Sequence, residues 1–403
     1  MSTSLLYHGF GIRGYRQVRE EFKEGQIVIA IEQDCGDLRC PSCGSGDVIR
    51  RGTITRRFRT LPIGRRKVMV ELPVQRVGCR SCGVVQQVKL GFASRRVSYT
   101  NSFERYVLDL CQHMTILDVA LHLGVSWGTV KDIHKQHLRH RYRRPSLTGL
   151  TYIAIDEICV GHGRRFLTIV LNIQTGAVIF VGQGKGKEAL KPFWKRLGWR
   201  KKSIKAVAID MGPAYLGAVW EHLPKAAVVF DRFHVVKLYN EKLTQLRRQV
   251  QNGAEALGKK ALKGTRWLLL KNPQNLDANK NEPQRLEEAL RLNAPLATAY
   301  YLKEDLRQFW EQPDKATAKR FLRDWLARAH ASGITVLKKF ARMMHLRKFG
   351  LLAWYDHPIS SGPLEGTNNK IKTLQRQAYG YRDQEYFTLR IYGLHETKYA
   401  LVG

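Results

Sequence analysis

Acidic side chains are scarce in this chain. Only 34 Asp and Glu stand against 68 Lys and Arg, which leaves a net charge of +34. Such an imbalance favours a polyanionic partner, because each neutralised phosphate releases condensed counterions. Long apolar runs and strongly basic amphipathic helices are also missing, which argues against an anionic membrane as that partner. The opening stretch MSTSLLYHGFGIRGYRQ lacks the basic-then-apolar order of a signal peptide, so the expected setting is a reducing cytoplasm. Cysteine is sparse too. Seven thiols in that setting point to metal ligands or core packing rather than disulfides. What is present, 44% hydrophobic and 10% aromatic residues, suits a folded chain. A length of 403 residues suggests roughly two to four domains.

Four of the cysteines form two turns of one pattern, Cys40-Pro-Ser-Cys43-Gly and Cys79-Arg-Ser-Cys82-Gly. Two such turns offer four thiolates to one tetrahedral ion, so a structural zinc site is expected. A set of buried thiols, or a redox pair, is the plainer alternative. The segment between them reads as strands with a turn at Pro62 to Gly64, a hairpin able to join the two turns. Cys35, Cys111 and Cys159 fall outside the pattern and read as structural. From Arg50 to Arg96 there are thirteen basic residues and one acidic residue, Glu71. Arg56, Arg57, Arg65, Arg66 and Lys67 are therefore candidate DNA-backbone contacts, since a merely solvated face normally mixes both signs.

The stretch TILDVALHLGVSWGTVKDIHKQHLRHRYRR follows from Thr115. Leu117, Ala120 and Leu121 recur at helical spacing, Gly124 makes a tight turn, and Ser126 can cap a second helix. This predicts a helix-turn-helix, although an ordinary helical hairpin would look similar. Its second helix would present Ser126, Trp127, Thr129, Lys131 and Lys135 to double-stranded DNA.

From Thr151 the pattern becomes strand, hairpin, helix, strand, helix, strand, long helix. That is the order of an RNase H-like core with a mixed sheet. TYIAIDEI reads as an apolar strand ending in Asp156, and SIKAVAID as one ending in Asp210. Carboxylates at the ends of apolar strands need a partner or a metal. Neighbouring strands would let two of them hold magnesium, a hard ion that prefers oxygen. Glu157 would point to the opposite face, and Asp231 could rival Asp210. A third acid must come from elsewhere, and Glu365 in SGPLEGTNNKIK is the candidate. Glu365, Asn369, Lys372 and Arg376 fall close to one face of the helix expected there.

Together these motifs resemble the bacterial insertion-sequence transposases of the DDE class, in the ISL-three family. The resemblance runs over nearly the whole chain. It rests on the paired CxxC ribbon with LPIGRRKV between, the helix-turn-helix, YIAIDE, AIDM, FDRFHVVK and GPLEGTNNKIKTLQRQAYGY. It implies Asp156, Asp210 and Glu365 as the catalytic acids, holding two magnesium ions for which manganese could substitute. Asp231 and His234 then form a D-x-x-H signature that supports the active site. One departure is Ser360-Ser361-Gly362, where the family often has Ser-Asn-Gly.

The resemblance also implies an all-helical insertion in the core. The stretch from Glu241 to Gly350 carries 23 Lys and Arg against 11 Asp and Glu. Within it Trp267, Trp310 and Trp325 read as core, and residues 272–284 as an exposed loop. The expected multidomain α/β chain thus divides into a zinc ribbon (1–96), a helix-turn-helix (97–148), an RNase H-like core (149–240), the insertion (241–355) and the rest of the core (356–403). The implied activity is binding of terminal inverted repeats, magnesium-dependent strand cleavage, and transfer to target DNA by a homodimer or larger assembly in the bacterial nucleoid. Two rivals share these features: a DNA-binding regulator with an inactive core, and a structure-specific RNase H-like nuclease.

Overall fold

The computed structural model describes residues 4–33, 38–161, 165–253 and 262–395. Cys35 lies outside them, as do short parts of the expected insertion and of the C-terminal segment. The chain forms two compact units, Met1–Arg143 and Arg144–Gly403.

The first unit opens on a short helix, α1 (Leu5–His8), followed by five strands: β1 (Tyr15–Lys23), β2 (Gln26–Gln33), β3 (Val48–Ile63), β4 (Arg66–Cys79) and β5 (Val85–Gln87). They form one sheet in the order β1-β2-β4-β3, with β5 on β4. Val68, Val70, Leu72 and Val74 alternate inward along β4, as the two-residue period of a strand with one buried face requires. The expected hairpin is β3–β4. Its turn falls at Gly64, whose φ of +57° favours glycine. The pairing of Val48 with Cys79 brings both cysteine turns to one end of the hairpin.

There the four Sγ atoms of Cys40, Cys43, Cys79 and Cys82 lie within 4.8 Å of one another. The pairs Cys40–Cys82 and Cys43–Cys79 are 3.6 and 3.5 Å apart. A tetrahedral zinc with sulfur ligands at about 2.3 Å would space them about 3.8 Å apart, so the site suits the ion. Backbone amides of Cys43 and Ser42 pull the Cys40 thiol down to about 6, toward the thiolate a metal needs.

Three helices complete this unit: α2 (Asn101–Leu110), α3 (Ile116–Leu123) and α4 (Trp127–Tyr142). Thr115 and Ser126 cap the last two, and Gly124 at φ +60° turns the chain between them. The inward stripe of α3 is Val119, Ala120 and Leu123, packed with Phe103, Val107, Val130 and Ile133. Leu117 and Leu121, part of the expected apolar repeat, are exposed instead, because α2 and α4 cover the other side of α3. Arg59 joins the sheet to this motif. Its buried guanidinium donates to the Leu123 carbonyl at 3.2 Å and lies over the Phe103 ring.

The second unit holds a five-stranded sheet: β6 (Tyr152–Cys159), β7 (Phe166–Asn172), β8 (Val178–Gln183), β9 (Ala206–Ile209) and β10 (Ala227–Phe230). The order is β10-β9-β6-β7-β8, with an antiparallel β6–β7–β8 meander and β9 and β10 parallel to β6. This is the RNase H-like order. Ile153, Ile155, Val207 and Ile209 face a core shared with α5 (Lys187–Leu197), α6 (Pro213–His222) and α7 (Arg232–Gly253). Ala154, Ile158, Ala208 and Val229 face the opposite core, with α14 (Gly362–Gln377) and α15 (Gln384–Tyr392).

Between those elements lie α8 (Arg266–Leu270), α9 (Glu282–Arg291), α10 (Ala294–Gln308), α11 (Lys315–Ala331), α12 (Thr335–Leu346) and α13 (Lys348–Leu352). This insertion shares one continuous apolar cluster with the sheet. Trp310 and Trp325 are buried in it as expected. Trp267 is not: it is 63% exposed. Its five-residue helix turns Leu268 and Leu269 inward, and its ring lies against Arg266 on the surface. Residues 272–284 are mostly exposed, with two short 3-10 turns, but Glu282 is buried and paired with Lys271. Of the other thiols, Cys111 is buried, whereas Cys159 is exposed at the end of β6.

Two outcomes are expected from this packing. Atomic absorption should find one zinc ion per chain, and Cys40→Ser should lose it together with the near-ultraviolet dichroism of the first unit. Gly350→Ala would place a methyl 2.5 Å from the Phe230 ring. Overpacking of that kind should cost about 1–3 kcal/mol in denaturant titration. An unchanged midpoint would refute the close approach of α13 to β10.

Candidate active site

Three aspartates stand level on three neighbouring parallel strands. Asp210 and Asp231 directly follow β9 and β10. Asp156, expected at a strand end, lies inside β6, which runs on to Cys159 in its pairing with β7. The β6–β9 register pairs Ala154 with Ala208, so two residues further along Asp156 reaches the level of Asp210. The β9–β10 register pairs Ile209 with Phe230, which puts Asp231 at the same level. All three continue the inward series on the α14 side of the sheet, because side chains alternate along each strand.

Asp156 sits between β6 and α14. Its Oδ1 accepts from the Glu157 amide at 2.8 Å, and its Oδ2 accepts from Asn368 Nδ2 at 2.9 Å. Burial pushes its carboxyl above the usual range. The Glu157 amide and the nearby His234 ring oppose that rise, while the charges of Asp210 and Glu157 add to it. Asp210 Oδ1 accepts from the Gly212 amide at 2.9 Å. A Cβ at Gly212 would fall 2.9 Å from that same oxygen, so a side chain there would push the Asp210 carboxylate aside.

Glu157 turns the other way, as strand alternation requires. It accepts from the Tyr215 hydroxyl of α6 at 3.2 Å. Burial, foremost, pushes that phenol up to about 12, so it stays a donor at neutral pH.

Asp231 is 2% exposed. Its Oδ1 accepts from Ser360 Oγ at 2.9 Å and from the Ser361 amide at 3.2 Å. Its Oδ2 is buried with no hydrogen-bond partner among the described residues. Asp231 therefore fastens the turn that begins α14. The Ser360-Ser361 pair supplies both donors.

Glu365 lies in the first turn of α14 and is exposed. Asn369, Lys372 and Arg376 are exposed on the same helix. The structure brings Asp156 and Asp210 together but does not draw the Glu365 carboxylate to them. Among the described residues, only the four cysteines form a converging group of three or more possible metal ligands. Asn368, which touches Asp156, was not among the residues expected from sequence. The signal for it was the stripe Leu364, Ile371 and Leu374, which turns position 368 inward and position 369 outward.

The expected DNA-facing residues divide into engaged and open side chains. Arg56 donates to the Val97 carbonyl at 2.6 Å and lies over Phe58, and Arg57 pairs with Glu71 at 2.5 Å. Arg65, Arg66 and Lys67 are exposed at and just after the hairpin turn. Ser126 uses its hydroxyl to cap α4 at the Thr129 amide. Trp127 is 50% exposed, with the Lys131 ammonium 5.3 Å from its ring centre, and Lys135 lies half-buried one turn on.

Comparison with known proteins agrees with this anatomy. Residues 38–82 match the zinc-finger of transposase IS204/IS1001/IS1096/IS1165. Residues 88–138 match the helix-turn-helix domain of transposase family ISL3. Residues 153–391 match the family's domain described as transposase. The chain is 34% identical over 388 residues to the transposase for insertion sequence element IS1001 of Bordetella parapertussis, covering 94% of this chain and 95% of that protein. It is 29% identical over 373 residues to the transposase for insertion sequence element IS1557 of Mycobacterium tuberculosis, covering 86% and 83%. Among solved structures, the Drosophila P element transposase strand transfer complex aligns with 61% of this chain and 77% of that one, at 11% identity and a TM-score of 0.35. The chain belongs to the ISL3 family of insertion-sequence transposases.

Proposed function

We propose that this transposase binds the terminal inverted repeats of its own element and cuts them with Asp156, Asp210 and Glu365. The observation that carries the reading is the alignment of Asp156 and Asp210 on adjacent parallel strands, beneath a helix that bears Glu365. Two partly buried carboxylates at about strand spacing form a poor site for anything but a cation. Their oxygen donors suit magnesium, or manganese in its place, and Glu365 on its long exposed side chain is the third donor. Two such ions would supply charge stabilisation for the attacking and leaving oxygens.

The chain's own groups do the rest. Asn368 fixes the rotation of the Asp156 carboxylate. Asp231 holds the Ser360–Ser361 turn, and so sets where α14 starts and where Glu365 sits. His234 lies on the first turn of α7, close enough to lower the charge cost of Asp156. Asn369, Lys372 and Arg376 line the exposed side of α14, where a DNA backbone would pass. Water attacks the phosphodiester at the element end and frees a 3′-OH, which then attacks a target phosphodiester. Each step breaks one P–O bond and forms one.

On this reading the segments bounded at residues 96, 148, 240 and 355 divide the labour. The ribbon (Arg65, Arg66, Lys67) holds backbone, α4 (Trp127, Thr129, Lys131, Lys135) reads the repeat, and the core cuts. Holding two ends at once calls for at least a dimer.

Two measurements test this. With labelled repeat ends and magnesium, Asp156→Asn and Asp210→Asn should each lower cleavage at least about a hundredfold while repeat binding stays unchanged. Cleavage retained by either variant would sink the assignment. Asn368→Ala should lower cleavage about 10- to 100-fold and raise the magnesium concentration needed for half-maximal rate. An unshifted magnesium dependence would make Asn368 a packing residue only.

A further inference from the structure

The insertion contains a groove that the chemistry above does not use. It lies between α11 and α12 and encloses about 500 Å³. His330 of α11 and Lys338, Lys339, Arg342 and His345 of α12 form its walls, over a floor that includes Leu326. No Asp or Glu lines it. None of those five side chains is ion-paired with a carboxylate among the described residues.

The sequence around it is equally one-sided. Residues 325–355 hold six Lys and Arg, two His, and no Asp or Glu. Several cations elsewhere in the insertion are paired with acids. Lys271 pairs with Glu282, Lys303 with Glu304, and Arg328 with Asp305 and Asp324. Lys338 and Arg342 instead stand four residues apart, so like charges stack on one helical face, with the His345 imidazole three residues on. Such a face is destabilising for an isolated helix and becomes favourable against a polyanion.

We propose that this groove seats the sugar–phosphate backbone of the target DNA duplex. The proposal rests on the transposase reading above. The groove offers cations and imidazoles without a carboxylate, a lining that suits phosphate oxygens, and phosphate contacts position a duplex without reading its sequence. That suits a duplex other than the repeat, whose recognition falls to α4.

The test uses the full-length protein with Lys339→Glu/Arg342→Glu, both exposed positions, and Lys339→Gln/Arg342→Gln as a milder pair should the reversal fail to fold. Binding and cleavage of labelled repeat ends should stay within about twofold. Strand transfer into a plasmid lacking repeats should fall at least about tenfold. The salt dependence of binding to a random-sequence duplex should lose about two in slope, one for each phosphate contact removed. Unchanged transfer and slope would overturn the proposal. Equal loss of end cleavage and transfer would also overturn it, by assigning the groove to end DNA. So would a change confined to oligomeric state, by assigning it to a second copy of the chain. If the wild-type protein cut no ends, the parent reading would fail while the random-duplex slope still judged the groove.

Discussion

Like charge forced together on neighbouring strands is the constraint around which the second unit is arranged. Two carboxylates about one strand spacing apart repel by roughly 3 kcal/mol at an effective dielectric near 20. Burial makes ionisation of Asp156 harder still. The surrounding residues hold this arrangement in place. Asn368 and the Glu157 amide occupy the two Asp156 oxygens, the Gly212 amide takes one oxygen of Asp210, and Tyr215 draws Glu157 to the far face. Acids crowded in this way, with His234 nearby, are the arrangement on which the proposed cation site rests.

Asp231 bears on the same constraint from a different direction. It stands level with the other two aspartates, yet its charge is spent on the chain itself, holding Ser360 and Ser361. This links the end of β10 to the start of α14, between residues 129 positions apart in sequence. The insertion does not hang from the core as a separate body. Its helices share the apolar cluster of the sheet, and the contact of Gly350 with Phe230 brings α13 directly onto β10. An insertion packed in this way can fix the geometry of the helix that follows it.

The first unit solves a smaller problem by similar means. A long hairpin with a basic surface has little apolar material near its open end, where the four cysteines converge. A metal there would supply the cohesion that packing lacks. Arg59, buried at the other side of the sheet, donates to the Leu123 carbonyl at the end of α3 and so sets the helix-turn-helix against the ribbon.

Much of this was legible in the chain itself. The CxxC spacing located the four cysteines that converge, because each CxxC pair is a local turn. The strand ending at Asp210, the hairpin and the helix-turn-helix were legible for the same reason, through periodicity and caps, whereas β6 runs past Asp156 to Cys159. Fold order followed, since apolar strands and amphipathic helices alternate in only a few ways. Other features depended on partners far away in sequence. Position 368 faces Asp156 and position 369 does not, because the two cores on either side of the sheet decide which side of α14 turns inward. Trp267 is exposed while Trp325 is buried, because only packing tells one aromatic from another. Leu117 and Leu121 lie outside because a neighbouring pair of helices chose the opposite stripe. Sequence determined which residues could do chemistry here. Tertiary structure decided which of them meet, because burial and register are properties of contacts between segments rather than of any one segment.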